Sequence, residues 1–194
     1  MLRKSNLQLA RFLFAFILIV LSTTQLKAQD TSETKPVDGT VQTIGDVVLY
    51  VMPVATLGTS FIIGDNQGAW QFTKGLLLTE AVTFGLKWSV NKPRPDNSND
   101  NSFPSGHTST VFHSAGYIHS RYGFKYAIPA YVLAGYTGAS RIDSKKHDIL
   151  DVLAGAAIGL GSNLIFTSEY QQEHMKLTYS NFEGNRMIGF RFEF

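Results

Sequence analysis

The residues of this chain best suited to chemistry stand in three short blocks between positions 87 and 151. Their members are cationic, small or hydroxyl-bearing, or able to move a proton: Lys87, Arg94, Ser105, Gly106, His107, Arg141, His147 and Asp151. Cations bind phosphate oxygens, and a histidine can attack phosphorus or transfer a proton. This combination predicts transfer of the phosphorus of a monoester onto a histidine.

The middle block, Pro104-Ser105-Gly106-His107, has the features of a helix start that binds an anion. Proline suits the first turn of a helix, and the free N–H groups there attract phosphate. Gly106 lets a ligand approach the backbone, and Ser105 adds a hydroxyl donor. His107 would stand beside the anion and protonate the leaving oxygen. The alternative is an ordinary Pro-Ser helix start.

The last block contains Arg141, His147 and Asp151. The last two are four residues apart and would share one face of a helix. The carboxylate could then bond one ring nitrogen and leave the other nucleophilic. Arg141 could bind two phosphate oxygens as a fork. The alternative is a structural His–Asp pair at a helix start.

The first block places Lys87 at the end of an apolar helix and Arg94 in the loop that follows. Two neighbouring cations need a counter-anion, which a substrate phosphate could supply. Asp96 and Asp100 lie nearby in the sequence, so a salt-bridged loop is the alternative.

A metal site is not expected. His113 and His119 follow His107 in the same predicted helix, but their spacing keeps the three side chains from sharing one face.

Taken together, Lys87-x6-Arg94-Pro95, Pro104-Ser105-Gly106-His107 and Ser140-Arg141-x5-His147-x3-Asp151 resemble the signature of the type 2 phosphatidic acid phosphatase superfamily. That family includes bacterial acid phosphatases, glucose-6-phosphatase and vanadium haloperoxidases. The resemblance implies a helical bundle that needs no metal or other cofactor. It implies that His147 becomes phosphohistidine with support from Asp151, and that His107 protonates the leaving group. Phosphoryl oxygens would be held by Lys87, Arg94, Ser105, Gly106 and Arg141.

Five apolar stretches of helical length predict an all-α bundle over residues 46–168. They cover about 47–63, 69–90, 105–120, 124–140 and 148–167. Residues 29–45 are polar and are expected to be a solvated lead-in, and 169–194 form a tail. Met187 to Phe194 alternates apolar and polar residues, which predicts a short strand or an amphipathic tail at a surface.

Residues 1–28 resemble a secretory signal peptide: Arg3, Lys4 and Arg11 precede an apolar run from Phe12 to Leu21, and cleavage is expected after Ala28. An uncleaved anchor is the alternative. Cleavage would remove four of the 17 basic residues and no acidic one, turning a net charge of +2 into −2. A mature chain of that charge gives no support for a nucleic-acid partner.

The predicted helices are either membrane spans or the core of a soluble bundle. Five crossings would bring all three blocks to the outer face and leave Arg121 and Lys125 inside, as the positive-inside asymmetry requires. The expected protein is therefore a multi-pass lipid phosphate phosphatase of the inner membrane, with its site facing the periplasm. By family resemblance lipid A is the first substrate expected, followed by undecaprenyl diphosphate or phosphatidylglycerol phosphate. A soluble periplasmic acid phosphatase is the alternative, and no obligate protein partner is predicted.

Overall fold

The computed structural model describes residues 36–170, 175–182 and 185–192. Five helices fill the first range: α1 Pro36–Ile62, α2 Asn66–Val90, α3 Gly106–Tyr122, α4 Phe124–Asp143 and α5 Ile149–Phe166. The predicted all-α bundle is confirmed, and its helices agree closely with the apolar stretches. The predicted signal peptide lies outside the described residues.

The first helix begins earlier than its apolar stretch indicated. Residues 36–45 belong to α1, so the second half of the expected lead-in is helical. The polar composition hid this because these residues contribute contacts to the bundle without filling its core. Gly45 lies so close to α4 that a Cβ atom there would be 2.3 Å from Ser140 Oγ. This fit fixes the start of α1 against the end of α4.

Helix α3 is the centre of the bundle and packs against each of the other four. Its Val111, Ala115 and Tyr117 side chains are fully buried. Helix α5 crosses α3 with the two backbones in contact. A Cβ atom at Gly155 would be 2.5 Å from the Ser105 carbonyl oxygen, and a Cβ atom at Gly159 would be 2.2 Å from the Ser109 carbonyl oxygen. Small residues allow such close approach. The start of α5 is thereby held beside the start of α3.

The two ends of the bundle differ in chemistry. The three sequence blocks meet where α2 and α4 end and where α3 and α5 begin. The opposite end is closed by a buried ion pair, in which Arg121 donates to Asp65 at 2.7 and 2.8 Å. Tyr122 donates a further hydrogen bond to Asp65 at 2.8 Å. The polar end that remains open is therefore the one that carries the blocks.

Two stretches in the described part of the chain are long and apolar enough to span a membrane. They are Gly39–Ile62, with a mean hydropathy of 1.4, and Ile149–Phe166, with 1.8. Only about a third or less of each is buried in the bundle. Trp88 and Leu164 are each 80% exposed on the outer surface. Exposed apolar area of this kind marks a membrane or partner surface, and we interpret the chain as a membrane protein.

The tail contains an antiparallel hairpin of β1 Met175–Phe182 and β2 Asn185–Phe192. Met175 pairs with Phe192, and Phe182 with Asn185. The strand predicted near the C-terminus is present, but its partner was not predicted. Residues 175–180 also alternate apolar and polar side chains, so the signal was available.

Candidate active site

The middle block lies at the start of α3, but the helix begins at Gly106, so Pro104 precedes the N-cap and is not in the first turn as predicted. Ser105 is the N-cap of the helix, and its hydroxyl oxygen accepts hydrogen bonds from the Thr108 N–H at 3.4 Å and the Thr108 hydroxyl at 2.9 Å. Its own N–H donates to the Asp151 carbonyl at 2.9 Å. The fully buried Ser105 therefore joins the starts of α3 and α5.

Gly106 is not required by the packing of the described residues. A Cβ atom there would have Thr83 Cγ2 at 3.8 Å and Lys87 Cε at 3.9 Å as its nearest neighbours, which are ordinary contacts. The helix-start amides at this position are thus approachable from outside. A strict need for glycine would come from a ligand that lies against the backbone.

The two cations of the first block have different surroundings. Lys87 Nζ donates to the carbonyl oxygens of Asn101 at 2.8 Å and Pro104 at 2.6 Å, which ties α2 to the loop before α3. Arg94 has a buried Nε with no hydrogen-bond partner among the described residues. An unpaired N–H on a buried charged group is costly, so this atom points to a missing anion.

The salt-bridged loop considered as an alternative takes a different form. Asp96 pairs with Lys146 at 2.7 Å and links the loop after α2 to the loop before α5. Burial opposes ionisation of Asp96, but the bond from Lys146 outweighs it and lowers its pKa to about 2. Asp96 is therefore paired with Lys146 and makes no salt bridge to Arg94 among the described residues, although its charge opposes the lowering of the Arg94 pKa by burial.

Arg141 is almost completely buried at the end of α4. Its Nη1 donates to Asp46 Oδ1 at 2.8 Å and its Nη2 to the Gln42 carbonyl at 2.8 Å. The same Asp46 oxygen lies 2.7 Å from His107 Nε2. Sequence reasoning did not identify Asp46, because it lies on α1, far along the chain from the three blocks.

His147 is held differently from the prediction. Its Nδ1 lies 2.7 Å from the Ser102 carbonyl oxygen and 3.7 Å from Asp151 Oδ2. The predicted direct bond to the carboxylate is thus replaced by a bond to a backbone carbonyl. The reason is that α5 begins only at Ile149, so His147 precedes the helix and does not share a helical face with Asp151.

The bond to the carbonyl nevertheless gives the His147 ring the predicted state, in which one nitrogen is bonded and the other is free to attack. A carbonyl oxygen only accepts, so His147 carries its proton on Nδ1 and leaves Nε2 with a lone pair. Burial lowers the pKa of His147, and the nearby charges of Lys87 and Arg94 lower it further. The ring is therefore neutral at neutral pH, as a nucleophile must be.

Asp151 acts on His147 through an intermediate residue. The Ser102 hydroxyl donates to Asp151 Oδ2, and the Ser102 carbonyl accepts from the His147 ring. Asp151 is fully buried and also accepts from the Asp148 N–H at 3.0 Å. The carboxylate thus fixes the loop whose carbonyl orients the ring.

Lys92 and Asp148 also belong to the network around Asp151, and the sequence analysis did not identify them. Lys92 Nζ donates to Asp151 Oδ1 at 2.8 Å and also to Asp148. Burial would lower the pKa of Lys92, but these two bonds outweigh it and raise the pKa. Asp148 is the N-cap of α5 and forms a reciprocal capping box with Asp151. The Asp-x-x-Asp spacing before an apolar run was the available signal.

The two other histidines within the described ranges are separate from this cluster. His113 lies in the core with Nε2 3.1 Å from the Phe72 carbonyl, and His119 Nδ1 lies 3.1 Å from the Tyr131 hydroxyl. Within the described ranges, no group of three or more His, Cys, Asp or Glu side chains is arranged to hold a metal ion.

Comparison with known proteins identifies relatives of this chain. The model of the PAP2 superfamily matches residues 68–174. The lipid A 4′-phosphatase of Helicobacter pylori (strain J99) is 31% identical over 168 residues, which cover 79% of this chain and 84% of that protein. The lipid A 1-phosphatase of Porphyromonas gingivalis is 40% identical over 89 residues, covering 44% of this chain but 20% of that protein.

A solved structure supports the fold. The crystal structure of Aquifex aeolicus LpxE has a TM-score of 0.59 to this chain and covers 69% of it, with 87% of the crystallised chain matched at 22% identity. The likeness in sequence extends over the helices that carry all three blocks. The chain belongs to the PAP2 superfamily.

Proposed function

We propose that this protein is a lipid A phosphatase of the cell envelope that works through a phosphohistidine on His147, without a metal ion. The observation that carries the proposal is the pairing of a neutral, oriented His147 with the unpaired buried Nε of Arg94. A nucleophile and an unsatisfied cation in one cluster suit a substrate that is an anion and an electrophile.

The reaction follows from the arrangement of these groups. The phosphoryl oxygens would be held by three cations, by the Ser105 hydroxyl and by the Gly106 N–H; the cations are Lys87, Arg94 and Arg141. Phosphoryl transfer depends mainly on positioning and on stabilisation of the charge on these oxygens.

Two steps complete the hydrolysis. His147 Nε2 forms a bond to phosphorus while the bond from phosphorus to the sugar oxygen breaks, and His107 gives that oxygen its proton. Water then attacks the phosphohistidine, with His107 taking a proton from the water. Inorganic phosphate leaves, and both histidines return to their starting states.

A lipid substrate is supported by an apolar groove along the bundle. The groove has a volume of about 920 Å³ and is lined by α1, by α4 and by the end of α3. Its lining runs from Val47, which follows Asp46 in the chain, past Leu133 to Arg121 and Tyr122 at the opposite end, and contains none of the proposed site residues. A fatty acyl chain attached to a phosphorylated headgroup would fit this path from the polar end of the bundle. The two curated relatives act on lipid A by their names, and the longer match is to a 4′-phosphatase.

For the location, we propose five crossings of the inner membrane with the site facing the periplasm: α1 and α5 contain the two described stretches that are apolar enough to span alone, and α2, α3 and α4 would cross packed against them. Exposed aromatic side chains lie at both ends of the bundle, with Trp88 at the site end and Trp70, Phe124 and Tyr126 at the other. Tryptophan and tyrosine favour membrane interfaces. Arg121 does not support this orientation, because its charge is buried against Asp65. Extraction should require detergent, and release by osmotic shock would contradict the proposal.

The test uses purified protein in detergent with lipid A that carries both phosphates. Wild-type protein should remove one phosphate in the presence of a chelator, as measured by mass spectrometry and phosphate release. The His147→Ala variant should not, whereas Asp143→Asn, at an exposed carboxylate on α4, should match wild type. Unchanged lipid A alongside hydrolysis of undecaprenyl diphosphate or phosphatidylglycerol phosphate would overturn the substrate and keep the reaction class.

A further inference from the structure

Asp46 is a carboxylate inside the proposed phosphate site, supplied by a helix that carries none of the three blocks. One of its oxygens lies 2.7 Å from His107 Nε2 and 2.8 Å from Arg141 Nη1. These partners are the proposed proton donor and one of the proposed phosphate ligands. The Asp46 side chain is 39% exposed, so it lies at the rim of the site.

The position of Asp46 is fixed by the surrounding backbone. Gly45 approaches the end of α4 so closely that a Cβ atom would meet Ser140 Oγ at 2.3 Å and Arg141 Nη2 at 2.9 Å. One turn earlier, the Gln42 carbonyl accepts from the other terminal nitrogen of Arg141 at 2.8 Å. Helix α1 thus holds the guanidinium by two acceptors, and a side chain at Gly45 between them would have to displace Ser140 or the guanidinium.

The charges around His107 come from several elements. Burial disfavours a protonated ring most strongly, Arg141 of α4 and Arg94 of the loop after α2 add to this effect, and Lys87 lies beside the same helix start. Asp46 opposes them, because a carboxylate in contact with an imidazole favours its charged form. Among the described residues, it is the only carboxylate that makes a hydrogen bond or ion pair to this ring.

We propose that Asp46 is a positioning residue of the phosphatase reaction: it favours the protonated form of His107 against burial and the neighbouring cations, and it holds Arg141 in place for the phosphate. This inference rests on the proposed function of the site. In the reaction, the Nε2–H of His107 stays with Asp46 while Nδ1 gives its proton to the leaving oxygen. The proton returns to His107 when water attacks the phosphohistidine.

The test compares Asp46→Asn with Asp46→Glu and with the exposed control Asp143→Asn, all in detergent. Each is assayed on an aryl phosphate, whose leaving group needs little protonation, and on an alkyl phosphate, whose leaving group needs it. Asp46→Asn should lower kcat on the alkyl ester by about 10- to 100-fold, within the range of general acid catalysis, and by much less on the aryl ester. Asp46→Glu keeps the charge and should recover part of the loss.

The pH profile separates positioning from a purely structural role. Without the carboxylate, His107 loses its proton at lower pH, so the basic limb of the kcat profile should move to lower pH in Asp46→Asn. It should stay in place in Asp46→Glu and Asp143→Asn. Equal losses on both esters with an unmoved basic limb would overturn the inference, as would a gain in activity. A wild-type protein that releases no phosphate from either ester would instead count against the proposed function.

Discussion

Replacing Lys92 by methionine should show how far the stability and activity of the site depend on this cation, which the sequence analysis did not identify. Lys92 bonds to Asp151, which is fully buried, and to Asp148, which is partly exposed. Methionine keeps most of the side-chain volume but removes the charge. Asp151 would then lose its salt bridge to a lysine and keep only the weaker charge interactions with Lys87 and Arg94, beside the negative charge of Asp148.

The expected loss of stability in Lys92→Met follows from how deeply each carboxylate is buried. A hydrogen bond to a charged group contributes about 1.5–3 kcal/mol, and removing one partner from a buried pair costs more than removing one from an exposed pair. The Lys92–Asp148 contact is open to solvent and is expected to contribute at most about 1 kcal/mol. Lys92→Met should therefore destabilise the protein by roughly 2–4 kcal/mol. It should also lower kcat, because Asp151 holds the Ser102 loop that orients His147.

A second substitution tests whether repulsion between Asp148 and Asp151 causes the loss of stability. Asp148→Asn removes the neighbouring negative charge and keeps a good N-cap for α5. Lys92→Met combined with Asp148→Asn should be less destabilised than the sum of the two single variants, as measured by denaturant titration in mixed micelles. Kinetics on the same samples should show a matching partial recovery of kcat. Additive effects, or a Lys92→Met protein with wild-type stability and kcat, would refute this description of the network.

Further outcomes follow from the same geometry. Gly106→Ala should melt like wild type, because a Cβ atom there meets no atom closer than 3.8 Å, yet lower kcat/KM on the order of 10²-fold by blocking phosphate from the backbone donors. Gly159→Ala should lose stability in a thermal melt, since its Cβ atom would be 2.2 Å from a carbonyl oxygen of α3. The lowered pKa of His147 keeps the ring neutral in acid, so the acidic limb of kcat/KM should lie below pH ~6.5, the ordinary histidine value. A limb at or above that value would contradict a neutral nucleophile. Vanadate should inhibit with a chelator present, and activity that strictly requires a divalent ion would contradict the scheme.

Much of this site could be predicted from local sequence. Apolar stretches of helical length gave the five helices, and short turns between them fixed which ends meet. The start of α3 at Gly106 was predictable because Pro104 and Ser105 are strong local signals. The blocks converge at one end because the first lies at the end of α2, the middle one at the start of α3, and the last one spans the end of α4 and the start of α5.

The contacts that were missed depend on tertiary structure. Ser102 orients His147 through a backbone carbonyl, and a carbonyl leaves no mark in the sequence. Asp46 and Gln42 lie in or beside a polar stretch that looked solvated, because polar side chains that serve a site resemble those of a loop. Arg121 looked like a surface charge, and only the fold shows that Asp65 neutralises it.

The central claim is that His147 carries the phosphoryl group during turnover. The most direct measurement is rapid quenching of wild-type protein during turnover of an aryl phosphate, at alkaline pH where phosphohistidine survives, followed by peptide mass spectrometry. We predict a phosphorylated peptide with the modification on His147, absent from His147→Ala, and a signal that disappears in acid. Turnover by His147→Ala at a rate near wild type, or phosphate found only on another residue, would contradict this account.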